Sequence, residues 1–379
     1  MQLPFVFLYR GTVSCMPSLF VREETCVYPF EAQLTSNKCR RGGWYTSKHS
    51  GVVETRETFF TIMALKFCNQ DVVHIEHFVQ RLADNMTADG QVPWKFTESW
   101  SGTAVPHYKY RQSPVVDANA QFLILLEWLY DTRSKTVKRL YLHARRAYQW
   151  LEQFMKDDMF YEPPESSWAT SREHSGYVLT SNVLVCQSIR SMELICMIKK
   201  DKTQQKLMET THRRFVEKMQ NNLYTTREVI PRILAVYWNM VPVHFWKSFN
   251  QELNYPIPLL VEGPQPCPTT WESWLYGTND EHTTLVYPWL GFFWIAILFT
   301  KQQSTCARQW WNRYQDFHEN STLYSVYTPE NLVPVQRAFI KGRLGHSLTL
   351  AMHMAASHEL PTESADAPSI GTHPQRPDK

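Results

Sequence analysis

Apolar side chains recur near the 3.6-residue helical period over 56–68, 71–86, 117–131, 135–156, 179–199, 203–222, 284–300, 303–319 and 343–357. A less regular recurrence covers 228–239 and 243–252, and no stretch shows a strong two-residue alternation. The pattern predicts an all-α protein whose helices come in pairs. Short turns alternate with long Pro-, Gly- and Trp-rich loops at 88–116, 157–178, 254–283 and 320–342. Loops of that length inside a compact domain usually carry function. Their alternation with short turns places them at one end of successive helical hairpins. The predicted organisation is an irregular segment 1–50, a helical domain 51–358, and a polar, Pro-rich tail 359–379 expected to be disordered. No short internal repeat is visible.

Composition narrows the partners. At 379 residues the chain can bury a large core, as one big domain or two ordinary ones. Aromatics make up 14% of it, with 14 Trp and 18 Tyr, which suits a big core and equally suits flat ligand faces. The 39 basic and 36 acidic residues leave a formal charge of only +3, too balanced for a nucleic-acid partner. Eight cysteines (15, 26, 39, 68, 186, 196, 267, 306) form no Cys-x-x-Cys pair. They read as buried small hydrophobes and free thiols, so neither a disulfide framework nor a metal site is expected, and no cofactor is implied. The first ten residues lack a basic n-region, and the apolar run Leu285 to Phe299, interrupted by Pro288 and Gly291, is too short to span a bilayer. The expectation is a cytoplasmic protein with no membrane partner. The sequons at Asn85 and Asn320 matter only if the protein is secreted.

Candidate chemistry lies in the loops. In Ser113-Pro-Val-Val-Asp117-Ala-Asn-Ala-Gln-Phe, Pro114 holds the chain extended and Asp117 sits where an apolar helix begins. Asp117 is thus either a simple helix cap or a carboxylate at a loop-built site. Asp89-Gly-Gln-Val-Pro-Trp94 follows one helix, with Gly90 able to take positive φ. Tyr161-Glu-Pro-Pro-Glu-Ser-Ser-Trp168 holds two carboxylates and an indole. Trp271-Glu272-Ser-Trp274 and Tyr287-Pro-Trp289 add four more aromatics, and Tyr327-Thr-Pro-Glu330 places a carboxylate ahead of the last helix. Most loop carboxylates are merely solvated and most Trp are core. Together, however, they provide what a sugar cleft needs: aromatic faces for the C–H side of a ring and carboxylates for its hydroxyls.

In order, Arg56-Glu-Thr-Phe-Phe, Asp89-Gly-Gln-Val-Pro and Pro114-Val-Val-Asp-Ala-Asn-Ala-Gln-Phe resemble motifs of the six-hairpin glycosidases. Trp168-Ala-Thr-Ser with Tyr177 to Asn182, Tyr287-Pro-Trp-Leu-Gly-Phe-Phe, and Thr328-Pro-Glu330 continue the likeness over about residues 42–357. The alkaline/neutral invertases and amylo-α-1,6-glucosidase-like hydrolases are the nearest members in this respect. The resemblance implies an (α/α)6 barrel, a carbohydrate substrate, Asp117 as general acid and Glu330 as general base. It also implies a sugar subsite shaped by Arg56, Glu57, Asp89, Trp168, Asn182 and Trp289. One protonated carboxyl and one ionised carboxylate acting through water is the chemistry of inverting glycosidases.

The sequence departs from that family at several points. Arg56-Glu57 stands where the family usually has Arg-Asp, Trp168-Ala-Thr-Ser where it has Trp-Ala-Asp-Ser, and Glu281-His-Thr-Thr-Leu-Val where it has Asn-Gly-Gly. Segment 223–283 is also compressed, and 337–346 is basic. Three readings stay open: a glycosidase, a carbohydrate-binding relative without turnover, and an α-helical interaction scaffold.

Overall fold

A computed structural model describes residues 24–47, 50–68, 72–98, 103–110, 113–164, 166, 176–226, 229–242, 244–245, 247–249, 261–262, 285–286, 288–314, 323 and 346–358. Its helices are α1 (Glu24–Ser36), α2 (Thr55–Phe67), α3 (Val72–Asp84), α4 (Asp117–Trp128), α5 (Tyr130–Arg139), α6 (Tyr141–Glu152), α7 (Leu179–Lys199), α8 (Lys202–Thr225), α9 (Val229–Tyr237), α10 (Pro288–Thr300), α11 (Ser304–Arg313) and α12 (Ser347–His358).

Two kinds of helix follow from two kinds of sequence. Helices α2, α4, α7, α9, α10 and α12 are buried nearly all round. Helix α10, Pro-Trp-Leu-Gly-Phe-Phe-Trp-Ile-Ala-Ile-Leu-Phe-Thr, has every residue but the last buried. Helix α8 instead buries a single stripe, Met208, Phe215, Met219 and Leu223, as an outer helix does. Among the described residues the all-round buried helices pack in a closed circuit: α2 on α4, α4 on α7, α7 on α9, α9 on α10, α10 on α12, and α12 back on α2. Helices α3, α6, α8, α11 and α1 lie against α4, α4 and α7, α7, α10, and α12 respectively. No described helix is long and apolar enough to cross a membrane.

Three features differ from the sequence pattern. Helix α1 falls inside the segment expected to be irregular. Its Phe30 and Leu34, one turn apart, are buried, and the helix packs on α12. The loop after it is tied to the start of α12: Asn37 Nδ2 donates to Ser347 Oγ (3.0 Å), which itself donates to the Tyr45 carbonyl (2.6 Å). Cys39, Tyr45 and Arg81 all donate to Glu98. Burial alone would raise the Glu98 pKa, but these donors and the Arg81 charge hold it below the usual carboxylate range.

The single helix expected over 135–156 is divided into α5 and α6 at Leu140, a buried residue that turns the chain. Within α5, Arg133 leaves helical geometry (φ −138°, ψ 44°) while its Nε reaches Glu76 at 2.9 Å. Finally, the long loops contain short antiparallel strands. Strands β1 (Val52–Glu54), β2 (Lys95–Glu98) and β3 (Ala104–His107) form one sheet, and β4 (Lys109–Tyr110) pairs with β5 (Ser113–Pro114). Strands β6 (Met155–Lys156), β7 (Met159–Glu162) and β8 (Gly176–Tyr177) form another sheet. Runs of two to four residues are too short to show a two-residue alternation. The tail 359–379 lies outside the described residues.

The Asp89-Gly90 turn is built by contact with other elements. Asn119 of α4 holds it, accepting from Val92 N (2.9 Å) and donating to Gly90 O (2.8 Å) and Ala147 O (3.1 Å). Gly90 has φ +101°, and a Cβ there would lie 2.3 Å from the Arg146 carbonyl oxygen of α6. Gly90→Ala is therefore expected to destabilise the fold by about 2–4 kcal/mol, left-handed strain adding to overpacking against backbone. Urea unfolding would measure it. A loss below about 1 kcal/mol would mean that loop and helix separate freely.

Candidate active site

The site lies where the N-termini of inner helices meet at one rim. Thr55 opens α2, its N–H donating to Trp94 O (2.7 Å) and its hydroxyl to Pro93 O (2.7 Å), so the Asp89–Trp94 loop fixes that helix start. One residue later, Arg56 reaches across to the first residue of α4. Arg56 Nε lies 2.8 Å from Asp117 Oδ2. The Asp117 side chain is 2% exposed, whereas 33% of the Arg56 side chain still meets solvent. The Arg56 side chain is thus part exposed while the carboxylate it meets is buried. Burial works against its charge, but Asp117 beside it, with Glu162 and Glu54, raises its pKa above the ordinary arginine value. The helix N-termini add partial positive charge to the same rim.

A second donor meets the same carboxylate oxygen. Gln121, one turn along α4 and fully buried, places Nε2 3.2 Å from Asp117 Oδ2. Glu162, also buried, ends β7 and accepts from Ser181 Oγ at the start of α7. Glu57 turns the other way, towards α12, where its Oε1 lies 3.2 Å from His346 Nε2. His346 is itself buried, with Nδ1 3.1 Å from Thr349 Oγ1.

The residues singled out by sequence divide accordingly. Asp117 and Arg56 are in contact, and Glu57 is on the same rim. Asn182 is buried with its amide engaged by backbone: Oδ1 accepts from Phe160 N (2.9 Å), and Nδ2 donates to Phe160 O (2.9 Å) and Val178 O (2.9 Å). It thus pins β7, and with it Glu162, rather than facing a sugar. Trp289 is only 7% exposed, with its ring 5.3 Å from that of Phe60. It packs within the helix ring. Asp89 stands in an exposed turn. Glu330, Trp168, Trp271, Trp274 and Tyr287 lie outside the described residues.

Sequence reasoning missed Gln121, Ser181 and His346 as members of the site, and took Glu162 only as one of several loop carboxylates. Signals were available for two of them. Gln121 is a polar residue one turn after Asp117 in an otherwise apolar helix, and Glu162 is a carboxylate fixed ahead of two prolines.

No protein-family model and no curated protein matches the sequence. Solved structures do match the fold. One is the GH63 mannosylglycerate hydrolase of Thermus thermophilus in complex with glucose, at TM-score 0.59 and 11% identity over 88% of this chain and 99% of that one. A wild-type glycosidase matches at TM-score 0.63 and 11% identity over 89% and 96%. The rhamnosidase of Klebsiella oxytoca with rhamnose bound matches at TM-score 0.61 and 9% identity over 88% and 64%. At such identities the likeness is one of fold. This chain shares the all-α fold of these solved glycosidases.

Proposed function

We propose that this chain is a glycoside hydrolase that cleaves an O-glycosidic bond with inversion, using Asp117 as general acid and Glu330 as general base. One observation carries the reading. Asp117 begins an inner helix at the rim, buried, in contact with Arg56, whose side chain is a third exposed. In the reaction the anomeric C–O bond breaks, its electron pair stays with the leaving oxygen, and that oxygen takes the Asp117 proton. Water adds to the anomeric carbon from the opposite face and gives its proton to Glu330. The two carboxyls would stand ~6.5–9.5 Å apart to admit that water. Arg56 forms the floor on which sugar hydroxyls sit. Seating a sugar there excludes water and draws the guanidinium from the carboxylate, which lets Asp117 carry its proton in the complex.

A second reading, a carbohydrate-binding relative without turnover, is favoured by the same ion pair, because at rest it keeps the Asp117 carboxylate engaged. Incubation with sucrose, isomaltose, trehalose and mannosylglycerate, followed by NMR of the released anomer, separates the two. Hydrolysis giving the inverted anomer is expected. Retention of configuration would overturn the mechanism. A thermal midpoint raised by sugar without hydrolysis would establish the binding relative, since a ligand that binds only the folded state raises it. Neither effect with any of the four sugars would overturn both readings.

A further inference from the structure

Helix α4 places a buried amide with only half its hydrogen-bonding character used. Gln121 is fully buried between Ala120 and Phe122, in a helix whose first ten residues are all buried. Its Nε2 donates to Asp117 Oδ2 at 3.2 Å, while its Oε1 is buried and accepts from no donor among the described residues. Buried polar atoms nearly always have partners, so an orphan carbonyl one turn beneath a candidate acid requires a reason. An amide has two ends of opposite character, a donor NH2 and an acceptor C=O. A carboxyl group changes character with its proton: the carboxylate only accepts, whereas the acid also donates.

Building on the assignment of Asp117 as general acid, we propose that Gln121 is the positioning residue for its proton. With the carboxylate ionised, the amide donates Nε2–H to Oδ2, as seen here. With the carboxyl protonated, the amide turns about its last side-chain bond and Oε1 accepts the Asp117 O–H. The orphan oxygen of one state is the partner of the other. When Asp117 gives its proton to the leaving oxygen, the O–H···Oε1 bond disappears with the proton. The amide turns back to the new carboxylate, and a proton from solvent resets the pair after product leaves. Among the described residues, Arg56 on α2 meets the Asp117 carboxylate, and Glu162 on β7 and Glu54 ahead of α2 act on that guanidinium.

Gln121→Met keeps the shape and removes the amide. Turnover of an unactivated glycoside from the four above is expected to fall about tenfold, part of the roughly 10²–10⁴-fold that general acid assistance supplies. The basic limb of the pH profile should move from its wild-type position, because the bonds the amide makes to the two protonation states are lost unequally. α-Glucosyl fluoride, whose leaving group needs little protonation, should be turned over almost unchanged. Gln121→Glu can donate and accept when protonated, so it should recover activity at low pH and lose it near neutrality. It also serves as the near-isosteric variant should Gln121→Met fold poorly by thermal midpoint. Equal loss on both substrates with an unmoved pH limb would overturn the proposal and leave a packing role. Retention of full turnover by Asp117→Asn would bring down the acid assignment itself. An inactive Asp117→Asn beside an unchanged Gln121→Met profile would bring down this proposal alone. Without any substrate, the infrared C=O band that Asp117 gains on acidification, recognised by its absence in Asp117→Asn, should shift in Gln121→Met. An unshifted band overturns the proposal whatever the turnover.

Discussion

Asp117→Asn is expected to lower turnover of an unactivated glycoside by roughly 10²–10⁴-fold while leaving sugar binding in place. The substitution keeps the size of the side chain and an oxygen for Arg56 Nε and Gln121 Nε2, which both meet Oδ2. What it removes is the transferable proton. Glu330→Gln should lose activity to a similar degree, because the attacking water then lacks a base. The two variants separate with α-glucosyl fluoride, whose departure needs little protonation. Asp117→Asn should be partly rescued on it and Glu330→Gln should not. Single-turnover kinetics on both substrates measures the asymmetry. Equal rescue, or full activity in either variant, would show that other residues do the chemistry.

How much of this is legible in the sequence depends on the distance over which each signal acts. Helical periodicity is local and strong, so it marks most helices of the ring with ends a few residues from those observed. The buried runs of α10 and α4 also mark them as inner helices before any contact is known. Helix α1 escapes because Pro29 interrupts its pattern, and its burial depends on α12, more than 300 residues away. The Arg56–Asp117 contact is not written in any spacing, since it joins residues 61 apart. Only the family resemblance places the two in one site. Asn182 and Trp289 show the converse. Their residue types suit a sugar, but an amide sheathed in backbone bonds and an indole packed on Phe60 are used up by the fold. The places of Glu162 and Gln121 are not legible because they rest on what Arg56 and Asp117 bring to them, a property of the assembled rim.

Arg56→Met should destabilise the protein, and the size of the effect reports how the rim is held together. Methionine matches the length of the arginine stem but leaves Asp117 buried without the guanidinium at 2.8 Å. Removing one partner of a buried ion pair typically costs about 3–5 kcal/mol, because the remaining charge lacks both water and counter-ion. Arg56 is a third exposed, so water can follow into the space it vacates, and the expected loss is at or below the low end, about 2–3 kcal/mol. Arg56→Lys should recover only part of it: the contact is made by Nε, and lysine is a point charge without that planar donor. In an Asp117→Asn background no carboxylate remains to be stranded, so Arg56→Met should cost much less there. A double-mutant cycle on urea midpoints should therefore give a coupling of roughly 1–3 kcal/mol. Additive losses would mean that the two side chains are held by their surroundings and not by each other. In that case the ion pair could not govern the Asp117 proton, and the route by which a seated sugar frees the acid would have to be abandoned.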